Sequence, residues 1–277
     1  PPRSTLFPYT TLFRSGVLGR DNAATFEAFF AEKGIEDRFV RTAGETRTNI
    51  KIAELASGGT TDVNLPGLPI PVSVYDAVWE TLRSIVTPGT IVVVAGSLPE
   101  NLPDVTCAVL VGDITRLGAR VVLDTSGEPL RRALAPEIRH LPRVVKPNRA
   151  ELEEWVGRPL TSEAEIVEAA RELAARGLDL VAVSRGAEGA LFVTADEAIA
   201  ARLPPVVAPS TVGAGDAMVA GIVAALAADA ALADVARLGV AFAAAKLGGI
   251  GANLPSVEAV RELAAAVELR PAGKIGN

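Results

Sequence analysis

This sequence has one cysteine, Cys107, and one histidine, His140. A single thiol cannot make an internal disulfide, and the simple reading is a reducing, cytoplasmic compartment. No apolar run reaches the ~18 residues that cross a bilayer. The Ala-rich stretch Ala217–Ala228 is short and contains Gly221, which suits a buried helix. Basic residues are outnumbered, with 27 Lys and Arg against 33 Asp and Glu, a formal charge of −6. A nucleic-acid binder needs a basic face, so this balance argues against that partner class while permitting a local basic pocket for a small anion. No G-x-x-x-x-G-K-[ST] segment occurs, which removes the P-loop enzymes. Cys107 reads as a packing residue and His140 as a surface or capping one.

The 277 residues are 49% hydrophobic, enough to bury a sizeable core. Residues 1–15, PPRSTLFPYTTLFRS, fit nothing that follows. They lack the apolar stretch and the small-residue cleavage site of a signal peptide. Thr5–Ser15 matches a one-frame translation of a common sequencing-adapter oligonucleotide. Residues 1–15 are therefore expected to be a foreign tail outside the fold, with one domain over 16–277.

Beyond the tail the pattern is regular. Asn22–Lys33 has helical spacing and stops at Gly34. Thr46–Leu55 and Thr60–Leu65 are β-rich runs around Ser57-Gly58-Gly59 and read as a hairpin, a flap over about 45–66. Helices are expected over Ser73–Ile85, Pro103–Leu117, Ala150–Val156, Ser162–Arg176, Ala214–Ala228, Leu232–Leu247 and Ser256–Ala266. Strands are expected over Thr90–Ala95, Arg120–Leu123, Arg143–Val145, Leu180–Ser184 and Gly189–Thr194. Alternating strands and helices imply an α/β fold with a mostly parallel sheet flanked by helices. Ligands of such sheets bind at the carboxyl ends of the strands. Polar or glycine-containing turns collect there: Gly96-Ser97, Asp124-Thr125-Ser126, Lys146-Pro147-Asn148, Ser184-Arg185-Gly186 and Val212–Asp216.

The most informative segment is Ser210–Ala220, STVGAGDAMVA. Gly213, Ala214 and Gly215 open a helix whose free N–H groups and dipole favour an anion. Asp216 in the first turn is placed to accept a proton from a hydroxyl. An anion cradle beside a base is what phosphoryl transfer needs. Read alone, the segment is equally a tight turn with a helix cap. Met218 occupies the third glycine position of G-x-G-x-x-G, which argues against a dinucleotide-binding fingerprint.

Val212-Gly213-Ala214-Gly215-Asp216 resembles the GAGD signature of the PfkB/ribokinase family of carbohydrate kinases. The resemblance implies that Asp216 is the catalytic base and substrate contact, and that Gly213, Ala214 and Gly215 form the anion hole. Lys146-Pro147-Asn148-Arg149-Ala150-Glu151 is similar to the family's KPN-x-x-E segment. It implies ATP contacts from Lys146 and Asn148, and a Mg2+ site at Glu151. Ser184-Arg185-Gly186-Ala187-Glu188-Gly189 resembles the S-x-G-x-x-G turn, implying ATP contacts from Ser184, Gly186, Glu188 and Gly189. Thr46-Arg47-Thr48-Asn49 and Gly96-Ser97-Leu98-Pro99 resemble substrate segments, which implies sugar-phosphate contacts from Arg47, Asn49 and Ser97. Lys51 is a weaker candidate for the same phosphate.

Jointly these segments resemble the branch that phosphorylates fructose 1-phosphate with Mg2+ and ATP, and the family implies a homodimer through the flap. Tagatose 6-phosphate and fructose 6-phosphate remain open as substrates. Ser210-Thr211 stands where many members have Asp-Thr, which puts a monovalent-cation site in doubt. The family's opening strand–loop–helix unit and its Gly-Gly-Lys-Gly-x-Asn segment have no counterpart here. A missing sheet strand and an incomplete sugar pocket are therefore expected, and with them the rival reading of a non-catalytic nucleotide-binding remnant.

Overall fold

Short apolar runs become the strands of one central sheet, and the stretches of helical spacing cover its faces. The computed structural model describes residues 12–53, 60–99, 101–204, 212–247 and 256–273. The chain opens with β1 (Phe13–Gly19), α1 (Ala24–Lys33) and β2 (Glu36–Thr42). A hairpin of β3 (Asn49–Ala53) and β4 (Thr60–Asn64) follows. Next come α2 (Val72–Ile85), β5 (Ile91–Ala95), α3 (Val105–Arg116), β6 (Arg120–Asp124) and α4 (Gly127–Ala133). Then come β7 (Val144–Val145), α5 (Arg149–Val156), α6 (Glu163–Ala174), β8 (Leu180–Ser184), β9 (Ala190–Val193) and β10 (Ala198–Arg202). The described chain closes with α7 (Ala214–Ala227), α8 (Leu232–Leu247), α9 (Val257–Ala266) and β11 (Glu268–Pro271).

The large sheet runs β11-β10-β9-β8-β7-β6-β5. It is parallel from β5 to β8 and antiparallel from β8 to β11. Its continuous apolar strands are explained by helices on both faces. Val121, Leu123, Val145, Val181 and Val183 bury toward α3, α5 and α6, beside Ile114, Leu152 and Leu173. Their neighbours Val122, Val144, Leu180 and Ala182 bury toward α7 and α8, beside Ile222 and Val240. The pleat thus sends alternate residues into two separate cores.

The expected tail boundary needs one correction. Phe13–Ser15 were set aside with the tail, yet they form the first half of β1, in parallel register with Glu36–Arg38. Backbone pairing decides this, helped by the Arg38 guanidinium over the Phe13 ring. β1 and β2 make their own two-stranded sheet, which packs on α2. Residues 1–11 lie outside the described residues, as do the turn Ser57-Gly58-Gly59 and the pair Ser210-Thr211. Among the described residues β5 is the last strand of the large sheet, and its Val93 is 43% exposed. Among the described residues no helix is long and apolar enough to cross a membrane.

α7 and α8 approach each other most closely at Gly221. A Cβ there would overlap the Leu238 carbonyl and sit 3.0 Å from the Gly239 Cα. Mid-helix Gly→Ala ordinarily stabilises a helix by about 1 kcal/mol. Here the backbone clash reverses the sign. Gly221→Ala is expected to lower the urea midpoint, and an unchanged or raised midpoint would count against this packing.

Candidate active site

Four neighbouring strands end at one edge of the sheet, and hydrogen bonds stitch those ends together. At the end of β5, Gly96 donates its N–H to the Asp124 carbonyl at 3.1 Å. Thr125 returns a bond from its hydroxyl to the Gly96 carbonyl at 2.8 Å. At the ends of β7 and β8, Ser184 donates its N–H to the Pro147 carbonyl at 3.0 Å, and Asn148 and Ser184 pair as a parallel bridge. Polar backbone that would otherwise be stranded beyond the strands is thereby satisfied.

Across this edge lies the first turn of α7. Gly213 is its N-cap and adopts φ 75°, a conformation that a side chain disfavours. Gly215 faces Lys146, whose Nζ would stand 3.3 Å from a Cβ at that position. Asp216 is exposed in the same turn. The Lys146 side chain is 8% exposed and pairs with Asp124, Nζ to Oδ1 at 3.1 Å. Burial pushes the Asp124 carboxyl pKa up, the Lys146 ammonium opposes this, and the nearby Asp216 charge adds to the rise. The structure therefore brings Lys146, Gly213, Ala214, Gly215 and Asp216 together.

Asn148 and Glu151 form a capping box at the start of α5. The Asn148 side chain accepts the Glu151 N–H at 2.9 Å, and Glu151 Oε2 accepts the Asn148 N–H at 2.8 Å. Both residues thus hold the helix start whatever else they do. Burial raises the Glu151 carboxyl pKa, while the donated N–H and the Lys146 ammonium pull it down. Beside this box lies a cleft of about 280 Å3 lined by Asn148, Ile166, Ser184, Arg185, Gly186 and Glu188, among others. Gly189 does not line it. A Cβ on Gly189 would overlap the Ala201 carbonyl, so that glycine is explained by the packing of β9 against β10. Arg185 is held by Glu163 at 2.9 Å, and Glu163 also pairs with Arg270 at 2.6 Å.

The hairpin base meets the β5 loop. Arg47 donates from Nη2 to Ser97 Oγ at 2.6 Å, although fifty residues separate them. Asn49 begins β3 opposite Asn64, and Lys51 pairs with Asp62 in register. Two residues escaped the reading from sequence. Asp124 was placed only in a turn; an acidic residue that ends an apolar parallel strand was the signal available. Lys246, in the last turn of α8, has its Cε 3.2 Å from a Cβ position on Gly213, and nothing in its spacing points there. Cys107 is 3% exposed and burial pushes its thiol pKa up to about 11, as expected of a packing residue.

This geometry can be set beside known proteins. The sequence profile of pfkB family carbohydrate kinases matches residues 12–259. A 1-phosphofructokinase of Xanthomonas campestris is 49% identical over 253 residues, covering 91% of this chain and 80% of the relative. A 1-phosphofructokinase of Rhodobacter capsulatus is 44% identical over 257 residues, covering 92% of this chain and 80% of the relative. The crystal structure of Escherichia coli phosphofructokinase-2 with substrates and products superposes with a TM-score of 0.85. It is 32% identical and covers 92% of this chain and 82% of that one.

Proposed function

The chain belongs to the pfkB family of carbohydrate kinases, and from that premise we propose that it transfers the γ-phosphoryl group of ATP to fructose 1-phosphate, giving fructose 1,6-bisphosphate and ADP. The observation that carries this reading is the Lys146 ammonium, 3.3 Å from the Gly215 Cβ position, beside the exposed Asp216. A cation thus stands against the first turn of a helix, with a carboxylate in the same turn. In the proposed reaction the sugar hydroxyl oxygen bonds to the γ-phosphorus as the bond to the ADP oxygen breaks. The hydroxyl proton passes to Asp216. The Gly213, Ala214 and Gly215 amides and Lys146 meet the negative charge that develops on the phosphoryl oxygens. Ser184, Gly186 and Glu188 line the cleft in which the rest of the nucleotide would lie.

The sugar's own phosphate is assigned to Arg47 and Ser97, with Asn49 beside them at the hairpin base. Their 2.6 Å bond holds the guanidinium in place before any ligand arrives, and its planar fork suits a phosphate. The choice of fructose 1-phosphate over tagatose 6-phosphate or fructose 6-phosphate is supported by the two 1-phosphofructokinase relatives. ADP release with the three sugar phosphates in parallel tests it. Fructose 1-phosphate is expected to give the highest kcat/KM, and silence with all three would favour the nucleotide-binding remnant. Asp216→Asn is expected to lower kcat by about 10²–10⁴-fold, the worth of a positioned base, with ATP affinity little changed. Near-normal turnover in that variant removes Asp216 from the mechanism.

The chemistry of Glu151 fits Mg2+. Its carboxyl is partly buried and gives one oxygen to the cap, which leaves the other for a hard cation or its water. Mg2+ commonly binds through one or two carboxylates plus substrate phosphates, and when bound it would neutralise phosphate charge. Asn148 keeps Glu151 in place. Glu151→Gln separates the two duties, because Gln also closes a capping box. Stability is expected to change by less than about 0.5 kcal/mol, while the Mg2+ needed for half-maximal rate rises about 10-fold or more. An unchanged Mg2+ requirement leaves Glu151 with the cap alone.

The flap carries an apolar face. Ile50, Ile52, Val63 and Leu65 are 50%, 56%, 39% and 43% exposed, and Ile50 sits opposite Val63. We assign this face to a flap-to-flap homodimer, since exposed apolar patches of this kind mark interfaces. Sedimentation is expected to show a dimer that Ile52→Asp converts to monomer. A parent chain that sediments as a monomer overturns this assignment.

A further inference from the structure

The proposed reaction uses a cradle, a base and a cation, and it leaves one buried carboxylate without a task. Asp124 ends β6 and Lys146 follows β7. The parallel register pairs Leu123 with Val145 and continues through the Lys146 N–H, which donates to the Leu123 carbonyl at 3.2 Å. The two side chains therefore leave adjacent strand ends side by side, and they meet at 3.1 Å with 15% and 8% of their surface exposed. Lys146 has other choices. Glu151 at the start of α5 lies within its electrostatic reach, and Asp216 is near enough to act on Asp124. One ammonium thus stands among three carboxylates, and a flexible four-carbon stem can turn toward any of them. Register decides the contest, because Asp124 is on the neighbouring strand and fixed.

The consequence concerns the base. An ammonium turned to Asp216 would occupy the carboxylate that is to receive the hydroxyl proton, and it would leave the Gly215 side of the cradle without this cation. We propose that Asp124 is a positioning residue: it holds the Lys146 ammonium against the first turn of α7 and away from Asp216, so that Lys146 meets the phosphoryl oxygens. This rests on the proposed phosphoryl transfer for its catalytic meaning, but the placement of Lys146 can be read without turnover.

The test is a double-mutant cycle in kcat with Asp124→Ala, Lys146→Met and the two combined. Asp124→Ala is expected to lower kcat about 10–100-fold, below the loss typical of a lost charge-stabilising donor, with KM for the sugar phosphate within about threefold. The double variant is expected to be no slower than Lys146→Met alone, because Asp124 acts through the lysine. Losses that multiply, or a KM effect at unchanged kcat, would indicate an independent or merely structural role and overturn the proposal. Where Asp124→Ala does not fold, Asp124→Asn replaces it, since a neutral acceptor cannot compete with two carboxylates. A crystal structure of either variant gives the second readout. Nζ is expected to leave its place beside Gly215 and turn to Asp216; Nζ unmoved overturns the proposal. A parent chain inactive on every sugar phosphate overturns the proposed function alone, and the crystallographic readout then decides this inference.

Discussion

A charged lysine is costly to bury without a counter-charge, and this constraint organises the centre of the molecule. Lys146 is 7% exposed. Removing one member of a buried pair typically costs about 3–5 kcal/mol, because the other charge is stranded. Asp124 supplies the partner, and it can do so only while β6 and β7 stay adjacent and in register. The same lysine packs closely on position 215. A Cβ there would stand 3.3 Å from Nζ, so that the ammonium would have to give way slightly, and in ordinary contact with Cε at 3.7 Å. Strand order and charge are thus one solution to one problem.

The two halves of the sheet divide the work. Strands β5 to β8 run parallel, so their carboxyl ends share one edge, and the candidate chemistry gathers there. Strands β8 to β11 run antiparallel and carry the described carboxyl terminus to the opposite edge of the sheet. Glu163 makes the join. It accepts from Arg185 in the loop after β8 and from Arg270 in β11, and the Arg270 guanidinium holds its carboxyl below the usual range. The loop after β8 is thereby braced from the edge strand β11.

Much of this is legible in the amino-acid sequence. Leu180–Ser184, Leu232–Leu247 and the start of α7 stand where apolar run, helical spacing and glycine place them. β2, β10, β11 and α4 were not anticipated. EDRFVRT in β2 alternates too weakly, and AIAAR in β10 carries helix-forming alanines whose strand state is imposed by β9 and β11. β1 was hidden because half of it belongs to a segment that reads as foreign. At the site, motifs identified residues on contiguous segments, Lys146 and Asp216 among them. The Arg47–Ser97 and Asp124–Lys146 contacts join distant segments, and such pairings follow from topology rather than from spacing.

Among the described residues no strand pairs with the outer side of β5, and this has a consequence of its own. Thr90 accepts from the Arg120 N–H and Gly96 donates to the Asp124 carbonyl. In a parallel ladder alternate residues face the same neighbour, so Val92 and Val94 turn their peptide groups to β6 while Ile91, Val93 and Ala95 turn theirs outward. Deuterium uptake along this one strand should then alternate, slow and fast, residue by residue. The outward groups are also spaced to template another extended backbone. Whatever segment docks there would silence the fast set and leave the slow set as it was, so five amides report the occupancy of a sheet edge.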